Sequence, residues 1–351
     1  MNDRFEINGR RIGSQQPVYI VAEMSGNHNQ NFDEAVEILH AAKDAGADAI
    51  KLQTYTPDTI TLRCEKEYFY IGGDSLWKGS SLYDLYQEAH TPWGWQPKLK
   101  TIAEGLGLDF FSTAFDASSV DFLEEMGVPV HKIASFELVD IPLIQKAAQT
   151  RKPLIMSTGM ASLIEIKEAV QAAREAGANH IALLKCTSAY PAPPEEMNLL
   201  TISHLMDTFE VPVGLSDHTM ESAVAVAAVA LGACILEKHL TLSRDIPGPD
   251  SKFSMEPHEF KEMVKAVRIA HKALGEVHYV PMENEAEIRI FRRSLFVVKD
   301  VKAGDRFTRE NMRSIRPSHG LSPKYYAEIL GKKASKDIER GTPLSWDLIE
   351  E

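Results

Sequence analysis

Eight short apolar runs, each closing on polar or charged residues, alternate with helical stretches along most of this chain. They are residues 18–23 (VYIVAE), 48–53 (DAIKLQ), 108–113 (LDFFST), 131–135 (HKIAS), 153–158 (PLIMST), 180–185 (HIALLK), 211–216 (VPVGLS) and 233–239 (ACILEKH). Residues Asp33–Ala45, Ser118–Met126, Ile141–Gln149, Leu163–Ala176, Glu221–Leu231 and His258–Leu274 carry apolar side chains at helical spacing. This alternation predicts an α/β fold, a (β/α)8 TIM barrel of parallel strands, whose active site is built at the C-terminal strand ends. Those ends hold Glu23, Lys51 and Gln53, Ser112 and Thr113, Lys132 and Ser135, Ser157 and Thr158, Lys185, Ser216, and Glu237 with His239. A purely structural ring would be apolar, so this one predicts a reaction centre.

The 351 residues accommodate a barrel of about 250 residues and an appendage of roughly 60. Residues 1–280 are assigned to the barrel, opening with a hairpin around Asn8-Gly9, a favoured two-residue turn. Residues 281–291 read as a linker and 292–351 as a small β-rich domain. The small domain repeats itself: Lys299-Asp300-Val301-Lys302-Ala303-Gly304 recurs as Lys336-Asp337-Ile338-Glu339-Arg340-Gly341. Thr308 then matches Ser345, each expected to cap a short helix. One barrel connection, from Thr54 to Gly107, is long and rich in Tyr and Trp. Such an insertion at the barrel top reads as a lid or specificity wall, or else as a subunit interface.

A formal net charge of −12 argues against nonspecific nucleic-acid binding, which needs basic surface. It also sets apart Lys51, Lys132, Lys185 and Lys238, lysines at strand ends of an acidic protein. The apolar stretch around Val224–Ala233 is too short to span a bilayer, so no membrane partner is expected. The polar start MNDRFEINGR predicts no signal peptide. Three cysteines, Cys64, Cys186 and Cys234, cannot form a complete disulfide framework; two of them lie in apolar strand-like runs, which predicts buried thiols in a reducing cytoplasm.

His218 follows the seventh strand and His239 ends the eighth, so barrel closure brings two imidazoles within reach of one ion. With a carboxylate or water they suit a divalent metal of intermediate softness; each could also be a satisfied polar residue. Lys51, Ser112, Thr113, Lys132, Ser135, Ser157, Thr158, Lys185 and Ser216 would face a common cavity and hold a phosphate or carboxylate. A lone lysine could instead snorkel from a rim, or serve as a Schiff-base nucleophile. Glu23 and Glu137 read as acid/base groups, as holders of sugar hydroxyls, or as structural partners of lysines.

At these residues the sequence resembles the sialic acid synthase family. The matching strings include AEMSGNHNQ (22–30), GADAIKLQTYTPDT (46–59), FFSTAFD (110–116), KIASFE (132–137), KCTSAYPAP (185–193), GLSDHT (214–219), EKHLT (237–241), GPDSKFS (248–254) and RPSHGLSP (316–323). EMSGNHNQ and the aromatic insertion resemble most the branch that makes pseudaminic acid. The C-terminal repeat is similar to the antifreeze-like (SAF, β-clip) domain of these enzymes. The resemblance implies a cytoplasmic transferase that condenses phosphoenolpyruvate with the open-chain form of an N-acetylated 6-deoxy sugar, with C–O cleavage releasing phosphate. It implies that His218 and His239 bind a divalent metal, Mn2+, Mg2+ or Co2+. It assigns phosphoenolpyruvate to Lys51, Thr113, Lys132, Ser135, Ser157, Ser188 and Ser216; Ser188 stands where related synthases have Asn. Glu137, Tyr190 and Asp250 fall at sugar-site positions, and Glu23 would orient the sugar or activate water. A domain-swapped homodimer is implied, with Arg316 reaching the partner's site to hold the N-acetyl group. The alternatives are a synthase for N-acetylneuraminate or legionaminate, a Schiff-base aldolase, and a non-catalytic sugar-binding protein.

Overall fold

The computed structural model describes residues 5–73 and 76–350, and its packing divides into two compact units after Gly275. In the first unit, β3 (Tyr19–Glu23), β4 (Ala49–Thr54), β5 (Asp109–Ala114), β6 (His131–Ile133), β7 (Leu154–Ser157), β8 (Ile181–Cys186), β9 (Val213–Asp217) and β10 (Ile235–His239) close a parallel barrel. The strands follow one another in sequence order, and β10 returns to pair with β3. Their side chains are almost entirely buried, inside the barrel or beneath the helices. Each such Ile, Leu or Val contributes about 1.5–3 kcal/mol relative to exposure.

The helices are α1 (Phe32–Asp44), α2 (Pro57–Ile60), α3 (Leu82–Ala89), α4 (Gln96–Gly105), α5 (Ala117–Glu125), α6 (Ile141–Gln149), α7 (Leu163–Glu175), α8 (Thr201–Phe209), α9 (Ser222–Ala230) and α10 (Pro257–Leu274). Their starts follow from capping side chains. Asn31 accepts from the amides of Asp33 and Glu34, Asp116 from Ser118 and Ser119, and Ser162 forms a reciprocal box with Glu165. Each cap stabilises by about 1 kcal/mol. The barrel helices α4 and α8 add to those expected from the sequence.

The N-terminal hairpin pairs β1 (Phe5–Ile7) with β2 (Arg10–Ile12). Asn8 and Gly9 both adopt positive φ, 47° and 76°, which is why this turn takes Asn-Gly. Ile7 and Ile12 join the barrel core. The Asp48 carboxylate ties the same region together, meeting Arg10 at 2.7 Å, Arg268 at 2.6 Å and the Ile20 amide at 2.8 Å. Within the barrel, a Cβ on Gly214 would lie 2.7 Å from both Ile235 Cβ and Leu184 Cδ2, so β8, β9 and β10 pack this closely only around glycine.

The second unit pairs β11 (Ser294–Val297) with β12 (Met312–Ile315) over a core that includes Leu295, Phe307, Ile338 and Leu344. Residues 276–291 pack with this unit, and 283–291 within them are helical. The sequence repeat is a repeat in hydrogen bonding. Asp300 accepts from the Arg340 amide and Asp337 from the Ala303 amide. Gly304 donates to Ala334 and Gly341 to Val297, while Val301 and Ile338 bridge across the two copies. Thr308 opens a turn through the Glu310 amide rather than a helix; Ser345 precedes the 3-10 turn Trp346–Leu348.

Candidate active site

The barrel register builds the site row by row. His239 lies beside Glu23, Glu23 beside Lys51, Thr113 beside Lys132, and Glu237 beside Ser216. Side chains alternate along a strand, so Glu237 and His239 face inward together. Four buried charges meet there. Lys51 Nζ is 2.6 Å from Glu23 and 3.8 Å from Glu237, and Lys132 Nζ is 3.6 Å from Glu237. Lys51 also donates to Thr113 Oγ1 at 2.8 Å and Lys132 to Ser157 Oγ at 2.7 Å. Ser216 Oγ donates to Glu237 at 3.2 Å, and Gln53 Nε2 to Glu23 at 3.1 Å.

The proton affinities follow from burial and charge. Burial raises the pKa of Glu23, and Lys51 offsets this only in part. Burial works against the Lys51 ammonium, but Glu23 and Glu237 overcome it and hold its pKa above the ordinary value. Burial likewise opposes the Glu237 carboxylate, which Lys132, Lys51 and His218 hold in the charged form. Lys132 is pushed down by burial.

Beside this cluster is a cradle of hydroxyls. The Gly159 amide donates to Ser135 Oγ at 3.0 Å. A Cβ on Gly159 would come within 2.7 Å of Ser135 Oγ and closer still to Ser188 Oγ. Both serines therefore crowd a backbone that only glycine leaves open. Two lysines, Thr113, Ser157 and this cradle form a donor set matched to a small polyanion.

The two imidazoles stand at the same mouth with ring centroids 5.3 Å apart. Nδ1 of His218 lies 2.9 Å from the Thr187 carbonyl, a contact that leaves Nε2 free to ligate. His239 Nδ1 is buried and has no hydrogen-bond partner among the described residues. This donor pair fits a divalent cation with two protein ligands and other positions left for water or substrate. Among the described residues no group of three or more His, Cys, Asp or Glu side chains converges on one point. Tyr190 and Phe253 pack against the imidazoles, at 4.5 Å from His218 and 5.0 Å from His239 respectively. Half-buried Asp250 accepts from Ser25 Oγ and the Gly26 amide. Glu137 follows β6, and burial raises its carboxyl pKa to about 7.

Glu23, Lys51, Thr113, Lys132, Ser135, Ser157, Tyr190, Ser216, His218 and His239 line a single cavity. Ser188 adjoins it through the Gly159 cradle. Arg316 is an exposed residue of the second unit, just beyond β12. Several expected ring members turn away. Ser112 bonds Thr54, Thr158 bonds the Leu184 carbonyl, and Lys185 donates to the Cys186 carbonyl and Thr187. Lys238 pairs with Asp217. Strand alternation explains Ser112 and Lys238, which neighbour inward residues and so point outward. Glu237, Gln53, Phe115 and Cys186 also line the cavity. The spacing of Glu237, two residues before His239 on one strand, already carried that signal.

A pseudaminic acid synthase of Helicobacter pylori is 47% identical over 95% of this chain and 98% of its own. An N,N'-diacetyllegionaminic acid synthase of Legionella pneumophila is 36% identical over the full length of both. The crystal structure of the spore coat polysaccharide biosynthesis protein SpsE from Bacillus subtilis superposes with a TM-score of 0.67 at 33% identity, covering 99% of both chains. A SAF domain model matches residues 292–350. The NeuB family model matches residues 38–279, and the chain belongs to that family.

Proposed function

We propose that the chain is a pseudaminic acid synthase. It joins phosphoenolpyruvate to the open-chain aldehyde of 2,4-diacetamido-2,4,6-trideoxy-altrose and releases phosphate. The observation that carries this reading is the meeting of a lysine–hydroxyl anion site with an imidazole pair in one barrel mouth. The sugar is chosen by the higher identity to the pseudaminic than to the legionaminic acid synthase.

In the reaction, C3 of phosphoenolpyruvate bonds to the aldehyde carbon, and the carbonyl oxygen takes a proton to become a hydroxyl. Water adds at C2 and loses a proton. The C2–O bond to phosphate then breaks, phosphate leaves, and C2 becomes a ketone bearing the water oxygen. Lys51, Lys132, Thr113, Ser135, Ser157, Ser188 and Ser216 hold the carboxylate and phosphate. Glu23, whose burial favours its protonated form, exchanges protons with water at its carboxylate oxygens. His218 and His239 would hold a divalent cation such as Mn2+, Mg2+ or Co2+, which when bound would supply Lewis-acid polarisation of the aldehyde. Glu137, Tyr190 and Asp250 contact the sugar. Arg316, exposed on its own unit, reaches the N-acetyl group from a second copy in a domain-swapped homodimer. Cysteines held as thiols rather than disulfides, two of them buried, suit a cytoplasmic setting.

Phosphoenolpyruvate labelled with 18O at the C2–O bridge tests this route. The label must appear in phosphate; label retained in the sugar acid would refute C–O cleavage. An aldolase would instead be trapped by borohydride in the presence of pyruvate.

A further inference from the structure

We infer that Trp77, in the long β4–β5 connection, determines sugar specificity: with Tyr190 it forms an apolar wall over the C6 methyl group, backed from behind by buried Phe253. The inference rests on the synthase reading above. The three rings pack on one another, with centroids 5.8 Å (Trp77–Tyr190), 6.3 Å (Trp77–Phe253) and 5.0 Å (Tyr190–Phe253) apart. Two of them touch the imidazole pair, Tyr190 at His218 and Phe253 at His239. The wall thus begins where the aldehyde is activated and runs outward to Trp77, two ring contacts away.

The anion site belongs to other elements, with Lys51 on β4, Lys132 on β6 and Ser157 on β7. A sugar whose aldehyde lies at the imidazoles extends along the aromatic rings. Trp77 is held there: its Nε1 donates to the Pro249 carbonyl at 2.8 Å. The next residue, Asp250, is tied to Ser25 and the Gly26 amide. With the indole N–H engaged by Pro249, Trp77 offers the sugar its carbon surface. A methyl group is covered by such a surface, whereas a hydroxyl loses water and gains no partner. Discrimination of this kind is worth roughly 10- to 100-fold in kcat/KM.

The test compares 2,4-diacetamido-2,4,6-trideoxy-altrose with its 6-hydroxy counterpart, using wild type, Trp77→Ala and Trp77→Phe. Wild type should favour the 6-deoxy sugar by roughly 10- to 100-fold. Trp77→Ala should lose that preference with the KM for phosphoenolpyruvate unchanged, and Trp77→Phe should keep most of it. An unchanged sugar ratio in Trp77→Ala, with both rates lowered alike, overturns the inference. Should Trp77→Ala not fold, Trp77→Gln, which sets a polar amide in place of the ring, should lose the preference, and an unchanged sugar ratio in that variant overturns the inference equally. If wild type converts neither sugar, the synthase reading itself falls, an outcome distinct from loss of selectivity alone.

Discussion

Lys238 and Asp217 are ladder neighbours on β10 and β9, and their side chains close a 2.8 Å ion pair that is almost wholly shielded from solvent. Each sits between two site residues, Asp217 between Ser216 and His218, Lys238 between Glu237 and His239. Asp217 also accepts from the Thr219 amide and hydroxyl, while Lys238 donates to the Thr219 carbonyl. The backbone on both sides of His218 is thereby fixed to the strand that bears His239.

Lys238→Met leaves the Asp217 carboxyl buried without its cationic partner, at a cost of about 3–5 kcal/mol. Urea denaturation should show that loss, and the double variant Asp217→Asn/Lys238→Met should recover most of it. Equal destabilisation of the single and double variants would contradict the pairing.

Gly159→Ala puts a methyl group into the Ser135–Ser188 cradle. The expected result is a KM for phosphoenolpyruvate raised roughly tenfold or more, since each charge-assisted bond lost is worth about 1.5–3 kcal/mol. Steady-state kinetics at saturating sugar reads it, and an unchanged KM would remove the cradle from the anion site.

Glu137 has a folded pKa of about 7 against an ordinary 4.5, raised by burial. The folded state therefore binds the proton more tightly than the unfolded state, so this group's contribution to stability falls as pH rises between those two values. The whole effect is at most about 3 kcal/mol. Denaturation at pH 5 and pH 8 should show Glu137→Gln gaining on wild type at the higher pH; a constant difference would contradict it.

Chelation should abolish phosphate release, and added Mn2+ should restore it. Apart from turnover, calorimetry should show one divalent ion bound per chain, with affinity lost in His239→Ala. Retained binding in that variant would place the ion elsewhere.

The barrel was legible because its strands end in polar residues after apolar runs, and the inward members Lys51, Thr113, Lys132 and Ser157 followed from that. What composition could not supply was direction. Lys238 and Ser112 are as polar as their neighbours, and only the pleat sends them outward. The spacing of Ile202, Leu205, Met206 and Phe209 would have revealed α8, but a short apolar face after a proline-rich loop is easily read as coil. α4 is obscured by its place within the aromatic insertion. The Asp300–Arg340 and Asp337–Ala303 bonds show why the small unit repeats in sequence: each copy closes the other.

The most direct measurement is phosphate release from phosphoenolpyruvate with each candidate sugar in turn. Release with 2,4-diacetamido-2,4,6-trideoxy-altrose, and little with N-acetylmannosamine or the legionaminic precursor, is the predicted result. Release with N-acetylmannosamine and none with the altrose derivative would contradict it, leaving the barrel and its anion site in place but moving the chain to the sialic acid branch.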